Sequence, residues 1–166
     1  RIKKGIQQPV TNFEIVREAP ATAVVDGHDG MGQVIGVKAM QLAIEKARKY
    51  GMGSVAVRNS SHFGIDGYYP LMAIKAGMAG MSFTNARPSI TPTFGVQPMM
   101  GTNPIAVAIP AGKQPPLVAD FATTPIARGK LAVAEKKGEK VPLGFVQDKY
   151  GNPSDDPSIL KSGGSM

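Results

Sequence analysis

The chain has 166 residues, 42% apolar and 19% charged, with 19 Lys+Arg against 12 Asp+Glu and a formal net charge of +7. That composition can bury a substantial core, which excludes wholesale disorder and a polybasic tail. Cysteine is absent, which excludes disulfides, zinc–thiolate centres, iron–sulfur clusters and thiol nucleophiles. With neither a bilayer-length apolar run nor a signal-peptide pattern, a cytoplasmic protein is the expectation.

Arg1 to Gly5 is charged and capless and reads as the tail of a segment that began earlier. Phe13–Arg17 alternates like a strand, and Ala21–Val25 reads as a second one after Pro20. Gly27-His28-Asp29-Gly30-Met31-Gly32 reads as a turn into the next element. From Gly32 to Tyr50 the period changes: Val37, Met40, Ile44 and Ala47 recur at three and four, with Lys38, Gln41, Glu45, Lys46 and Lys49 between them. The spacing predicts an amphipathic helix closed by Gly51 after a basic last turn.

Ser54–Arg58 is a short β-prone run ending at the polar turn Asn59–Gly64. Asp66 is placed to cap a helix carrying Tyr69, Met72, Ala73 and Ala76, with Pro70 in its first turn and Gly77 at its end. Met81–Thr84 resumes extended structure, and the prolines and glycines between Ala86 and Asn103 predict a long shaped loop. Ile105–Ile109 and Leu117–Asp120 read as buried strands. Thr124 and Pro125 supply an N-cap and first helical residue for a helix running to about Lys137, ended by Gly138, and the remainder is turn-rich. The helix between two short strands suggests a crossover, and the chain reads as an α/β domain with helices flanking the sheet.

The one nucleotide-like pattern, Gly51-Met-Gly53-Ser-Val-Ala56, follows a helix and opens a strand, the reverse of a dinucleotide fingerprint. It reads as a helix stop. No phosphate loop, zinc-protease motif or calcium loop occurs, so no metal is expected. The basic residues are dispersed without interleaved aromatics, which favours a solvated surface over a nucleic-acid-binding module, the second reading of so basic a chain.

Only His28 and His62 can serve as acid–base histidines. His62 sits where a strand ends and a helix is about to begin, where scaffolds present reactive side chains, and imidazole suits proton exchange near pH 7. A hydrogen-bonding structural role fits the same position. Asp120 ends an apolar strand, where a carboxylate can accept from a ribose hydroxyl, orient an imidazole or satisfy backbone N–H groups.

Taken together, Asn59-Ser-Ser-His62-Phe-Gly64, Thr84-Asn85 before Pro88, Gly101-Thr-Asn-Pro104, Asp120-Phe-Ala-Thr123 and Ala127-Arg-Gly-Lys130 resemble, in one order, the malate/L-lactate dehydrogenases unrelated to the Rossmann enzymes. The likeness extends through Asp148-Lys-Tyr-Gly-Asn-Pro153 and Asp156-Pro157. It implies a mixed-sheet α/β fold with a non-Rossmann dinucleotide-binding domain, and NAD or NADP as cofactor. The activity implied is interconversion of a 2-hydroxy acid and its 2-oxo acid by a homodimer, without nucleic acid or membrane. On matched positions His62 corresponds to the proton acceptor, Ala86, Asp120, Phe121 and Ala122 to dinucleotide contacts, and Thr102 to a substrate-facing position. Family members also carry a Ser-His-Gly motif upstream of a segment like Arg1–Gly5 and a glycine-rich lysine motif beyond one like Ser162–Gly164. Residues 1–166 are therefore expected to be one cofactor-binding domain of a longer chain, with His62 and that upstream histidine both candidates for the main acid or base. A catalytically silent dinucleotide-binding or dimerising fragment is the remaining alternative.

Overall fold

A computed structural model describes residues 1–166. Its elements, in chain order, are a 3₁₀ turn at Ile2–Lys4, β1 (Glu14–Glu18), β2 (Thr22–Gly30), α1 (Gly32–Tyr50), β3 (Ser54–Ser60), α2 (Tyr68–Lys75) and β4 (Gly80–Phe83). There follow β5 (Ile105–Ala111), β6 (Gln114–Phe121), α3 (Arg128–Lys137), β7 (Val146–Gln147), β8 (Pro153–Ser154) and a 3₁₀ turn at Ile159–Lys161. No helix is long and apolar enough to cross a membrane. The chain divides into two compact units, Arg1–Ser82 with Ala106–Asp120, and Phe83–Ile105 with Phe121–Met166.

In the first unit β2 pairs antiparallel with β1 and parallel with β3, so the sheet is mixed, and α1 makes the crossover between the parallel strands. Helix α1 runs from Gly32 to Tyr50, and Gly51 ends it in the left-handed conformation at φ 83°. Gly53 then brings β3 against the helix, since a Cβ there would lie 2.0 Å from the Ala43 carbonyl oxygen. The two glycines of the nucleotide-like pattern thus stop a helix and allow a close approach.

Which face of α1 is buried differs from the reading of its period. Ile35 and Ala39 are buried, while Val37, Met40, Ile44 and Ala47 are only half-buried. Lys46, read as a solvent residue, is 7% exposed. Its ammonium donates to Glu18 Oε1 at 2.8 Å and to the Ala19 carbonyl at 2.9 Å. The β1–β2 turn supplies the acceptors that let the charge lie inside.

The Gly27–Gly32 segment is not the turn expected from its glycines. β2 runs on to Gly30, with a bulge in which Gly27, His28 and Asp29 lie opposite the single residue Asn59. His28, Asp29 and Asn59 all adopt the left-handed conformation, at φ 47°, 55° and 50°. The buried Asp26 carboxylate holds this arrangement, accepting from the His28 N–H at 2.9 Å, Arg58 Nε at 2.8 Å and Asn59 Nδ2 at 3.0 Å. Those donors, the His28 N–H foremost, hold the Asp26 carboxyl below the ordinary carboxylate range despite its burial.

β4, β5 and β6 form a second sheet in that order, β5 and β6 being joined through Gly112-Lys113 as a hairpin. Ala106 and Ala108 of β5 are fully buried, as expected of a core strand. β6 is not: it begins Gln114-Pro115-Pro116, and Leu117 is 61% exposed. Apolar composition alone does not say which strand takes the edge.

In the second unit a core of Ile90, Ile126, Leu131, Ala134, Val141, Val146, Ile159 and Met166 gathers around α3. The helix starts at Arg128 after an extended Ala127, later than Thr124-Pro125 suggests, because Thr124 Oγ1 donates to the Ile126 carbonyl at 3.2 Å instead of capping. Gly138 ends it as expected, at φ 69°. Asp148 accepts from the N–H groups of Tyr150 and Asn152 at 2.8 and 2.9 Å, so the Asp148–Pro153 motif is a side-chain-closed turn leading into β8.

Candidate functional site

The parallel pair β2 and β3 ends at Gly30 and Ser60, and the chain then turns beside the start of α1. Ser61 builds this corner: its hydroxyl donates to the Gly30 carbonyl at 2.8 Å and accepts the Gly32 N–H at 3.0 Å. Gly32 is required there, since a Cβ would lie 2.2 Å from the Ser61 carbonyl oxygen and 2.6 Å from that of His62. The carboxyl ends of parallel strands are where open α/β sheets place their ligands, and His62 stands at that point with its side chain exposed.

The His62 ring is held by its own turn. The Gly64 N–H donates to Nδ1 at 3.1 Å, so the neutral imidazole carries its proton on Nε2. His28, the other histidine, is occupied elsewhere: its Nε2 lies 2.7 Å from Glu14 Oε2, next to the Asp26 network.

Beyond His62 an apolar groove of about 490 Å³ opens, lined by Phe63, Gly64, Tyr68, Tyr69, Val118 and Asp120 among others. Phe63 and Tyr69 stack with ring centroids 4.9 Å apart and planes 11° apart. The Asp120 carboxylate uses Oδ2 to accept the Gly67 N–H at 2.9 Å, at the N-terminus of α2. The N-cap of α2 is Gly67, with no side-chain capping bond, so Asp66 does not cap the helix. Asp66 is 4% exposed, takes the Ser82 hydroxyl on Oδ1 and leaves Oδ2 without a partner. Burial, with the nearby Asp120 charge adding to it, pushes the Asp66 carboxyl up; the Ser82 hydrogen bond works against both.

Of the residues singled out in the sequence, His62 and Asp120 fall in the first unit and Ala86, Thr102, Phe121 and Ala122 in the second. The second unit brings its own three segments together. The Thr102 carbonyl accepts the Thr123 N–H at 3.0 Å and the Thr123 hydroxyl at 3.2 Å, tying Phe121–Thr123 to the Gly101–Pro104 motif. The Ala86 N–H donates to Asn103 Oδ1 at 3.0 Å, and a Cβ on Gly101 would lie 2.1 Å from the Ala86 carbonyl oxygen. Ala86 is exposed with its amide already paired, Phe121 is exposed, and Thr102 and Ala122 are half-buried. Tyr68, Tyr69 and Gly67 were missed by the sequence reading as site residues. The stacked ring and the capped amide depend on partners that no local pattern reveals.

The groove suits the flat, uncharged face of an aromatic ring, and the open Asp120 Oδ1 at its wall suits a hydroxyl or a cationic ring. A nicotinamide presents a flat ring and its ribose supplies hydroxyls, so these residues fit a nicotinamide nucleoside.

Comparison with known proteins covers the chain as a whole. The sequence model of the malate/L-lactate dehydrogenase family matches residues 1–166. The chain is 51% identical over 154 residues to a malate dehydrogenase of Pyrococcus abyssi, covering 93% of this chain and 42% of that protein. It is 47% identical over 162 residues to an L-sulfolactate dehydrogenase of Methanocaldococcus jannaschii, covering 98% of this chain and 47% of the relative. The crystal structure of a malate dehydrogenase from Entamoeba histolytica superposes with a TM-score of 0.92 at 43% identity, over 99% of this chain and 47% of that one. The chain spans less than half the length of these relatives. With its mixed-sheet α/β architecture and a family match along its whole length, the chain belongs to the malate/L-lactate dehydrogenase family.

Proposed function

We propose that residues 1–166 are the cofactor-binding part of an oxidoreductase that interconverts a 2-hydroxy acid and its 2-oxo acid, with NAD or NADP as the second substrate, and that it works as a homodimer. The observation that carries this reading is the placement of the exposed His62 at the carboxyl end of β3, beside a groove that also holds the Asp120 carboxylate. In the oxidation, the hydroxy acid loses a hydride from C2 and a proton from its hydroxyl, giving the 2-oxo acid. The nicotinamide supplies the hydride chemistry.

What this chain's own residues do is bind, orient and move the proton. His62 exchanges the proton of the substrate oxygen. Phe63 and Tyr68 give the ring an apolar seat, and Asp120 accepts from a ribose hydroxyl through Oδ1. Ala86, Phe121 and Ala122 contribute further dinucleotide contacts, with Ala86 limited to its methyl and carbonyl because its N–H serves Asn103. Thr102 faces the substrate. The named substrates of the relatives, malate and sulfolactate, share a 2-hydroxy carboxylate and differ at the far end, which favours that common unit as what this site reads.

Titration of the protein with the reduced dinucleotide, followed by nicotinamide fluorescence, tests the cofactor assignment: saturable binding is expected, and folded protein with no response at millimolar ligand refutes it. In the full-length enzyme, His62→Ala is expected to lower turnover about 100-fold or more at nearly unchanged dinucleotide affinity. Normal turnover in that variant removes His62 from the chemistry.

A further inference from the structure

Several contacts of the first unit converge on Tyr69, a side chain at the groove that has been given no part in proton transfer. Tyr69 is 3% exposed. Its ring stacks flat on Phe63 and meets Tyr68 edge-on at 5.6 Å. Its hydroxyl donates to the Phe63 carbonyl. Helix α1 makes room for the ring by having no side chain at Gly36, where a Cβ would lie 2.6 Å from Tyr69 Cε1.

The residue after His62 is therefore gripped at both its ring and its carbonyl by one buried tyrosine. The residue before it, Ser61, is fixed by Gly30 and Gly32. Between these two anchors the chain has little freedom at His62, and the Gly64 N–H arrives at Nδ1 as a result. That bond decides which nitrogen faces outward with a proton.

We propose that Tyr69 is a positioning residue for His62: by fixing Phe63 it fixes the turn in which the Gly64 N–H occupies Nδ1, so that the neutral ring presents an Nε2–H to the substrate oxygen. In that state His62 donates a hydrogen bond to the oxo oxygen of a 2-oxo acid and polarises its carbonyl. Proton transfer at Nε2 puts a proton on Nδ1 in either direction, on the imidazolium that gives its Nε2 proton to the reduced oxygen and on the neutral ring that takes up the hydroxyl proton at Nε2, so the Gly64 bond opens for that step and the grip of Tyr69 on the turn bears on both directions of the reaction. The catalytic part of this inference rests on the His62 reading proposed above; the structural part does not.

Two variants act on the grip from opposite sides. Tyr69→Phe removes the hydroxyl and keeps the stacked ring, and Gly36→Ala pushes the ring from α1 while improving the helix residue by residue. The tautomer of His62 is read from its imidazole ¹⁵N shifts at about pH 9, where histidine is neutral, and turnover is measured in the full-length enzyme. The wild type is expected to show the Nε2–H form alone and both variants a mixture of tautomers. Turnover of Tyr69→Phe is expected to fall about tenfold, with dinucleotide affinity kept because the ring remains, as small misplacements of a reacting group produce such losses. An unchanged tautomer in both folded variants overturns the proposal whatever the turnover. A mixed tautomer with unchanged turnover upholds the link from Tyr69 to His62 and overturns the catalytic reading of His62 instead.

Discussion

Replacing Asp120 separates two roles that one carboxylate is asked to play. Its Oδ2 accepts the Gly67 N–H at the start of α2, across 53 residues of chain. Asp120→Ala deletes that acceptor. Loss of the acceptor for the part-buried Gly67 N–H costs about 1 kcal/mol, and loss of a negative charge beside the helix start costs roughly a further 0.5 kcal/mol. Against this, the buried Asp66 carboxyl is relieved of a neighbouring charge, which returns part of the loss. The net is about 1 kcal/mol, equivalent to a fall in Tm of roughly 2–4 °C for a chain of this size. Asp120→Asn keeps an oxygen for the Gly67 N–H, so its Tm is expected to stay within about 1 °C of the wild type, an effect below roughly 0.5 kcal/mol. Dinucleotide binding follows a different rule: a ribose hydroxyl donating to a carboxylate contributes about 1.5–3 kcal/mol, so Asp120→Asn is expected to weaken binding roughly tenfold to a hundredfold. Thermal unfolding by circular dichroism and a fluorescence titration on the same samples give both numbers. If Asp120→Ala melts with the wild type, the bond to Gly67 contributes nothing and the structural argument fails. Unchanged affinity in Asp120→Asn refutes the cofactor role alone.

Gly32→Ala forces a Cβ to within 2.2 Å of the Ser61 carbonyl oxygen, and overpacking against backbone is expected to cost about 1–3 kcal/mol and to lower turnover, checked by denaturant unfolding and steady-state kinetics. Acid sensitivity follows from Asp26: its carboxyl is held low in the folded state, so its contribution is full above about pH 4 and is lost as pH falls through the folded-state value. Asp26→Asn is accordingly expected to be less stable than the wild type near neutrality and to show a shallower loss of stability on acidification, read from Tm against pH; parallel curves would refute the assignment.

Local signals served well where the structure is local. Helix α1 could be bounded from its period, its basic last turn and Gly51 because all three act within a few residues of one another. The Gly51–Ala56 pattern could be set aside for the same reason, since a helix before it and a strand after it were both visible. What failed depends on partners far away in sequence. Lys46 looks solvated until the carbonyls of Ala19 and Pro20 are brought to it. Asp66 has the right spacing for a cap, but its side chain turns inward to the Ser82 hydroxyl and the N-cap is Gly67, whose N–H goes to Asp120 from a distant strand. β6 has the composition of a core strand, and only the strand order puts it outermost. For the site, the resemblance pointed to His62 and Asp120 in one unit and to Ala86, Thr102 and Phe121 in the other. The grip on His62 by Tyr69 was not legible, because it needs α1, α2 and the β3–α2 turn in place together.

The order of the second sheet has a consequence for how the protein behaves at high concentration. β6 lies at its margin with Leu117, Val118 and Phe121 exposed, and an outer strand with apolar side chains is a template on which a stray strand from another molecule can pair. Pro115 and Pro116 blunt half of it, since two consecutive residues without an N–H cannot carry a regular ladder. The other half ends in the charge of Asp120, whose burial in any stacked assembly would cost far more than the added strand returns. Colloidal restraint in this chain is thus written into the same short strand that delivers a carboxylate to the groove, and a change made at Asp120 for the sake of the chemistry also loosens a guard against aggregation.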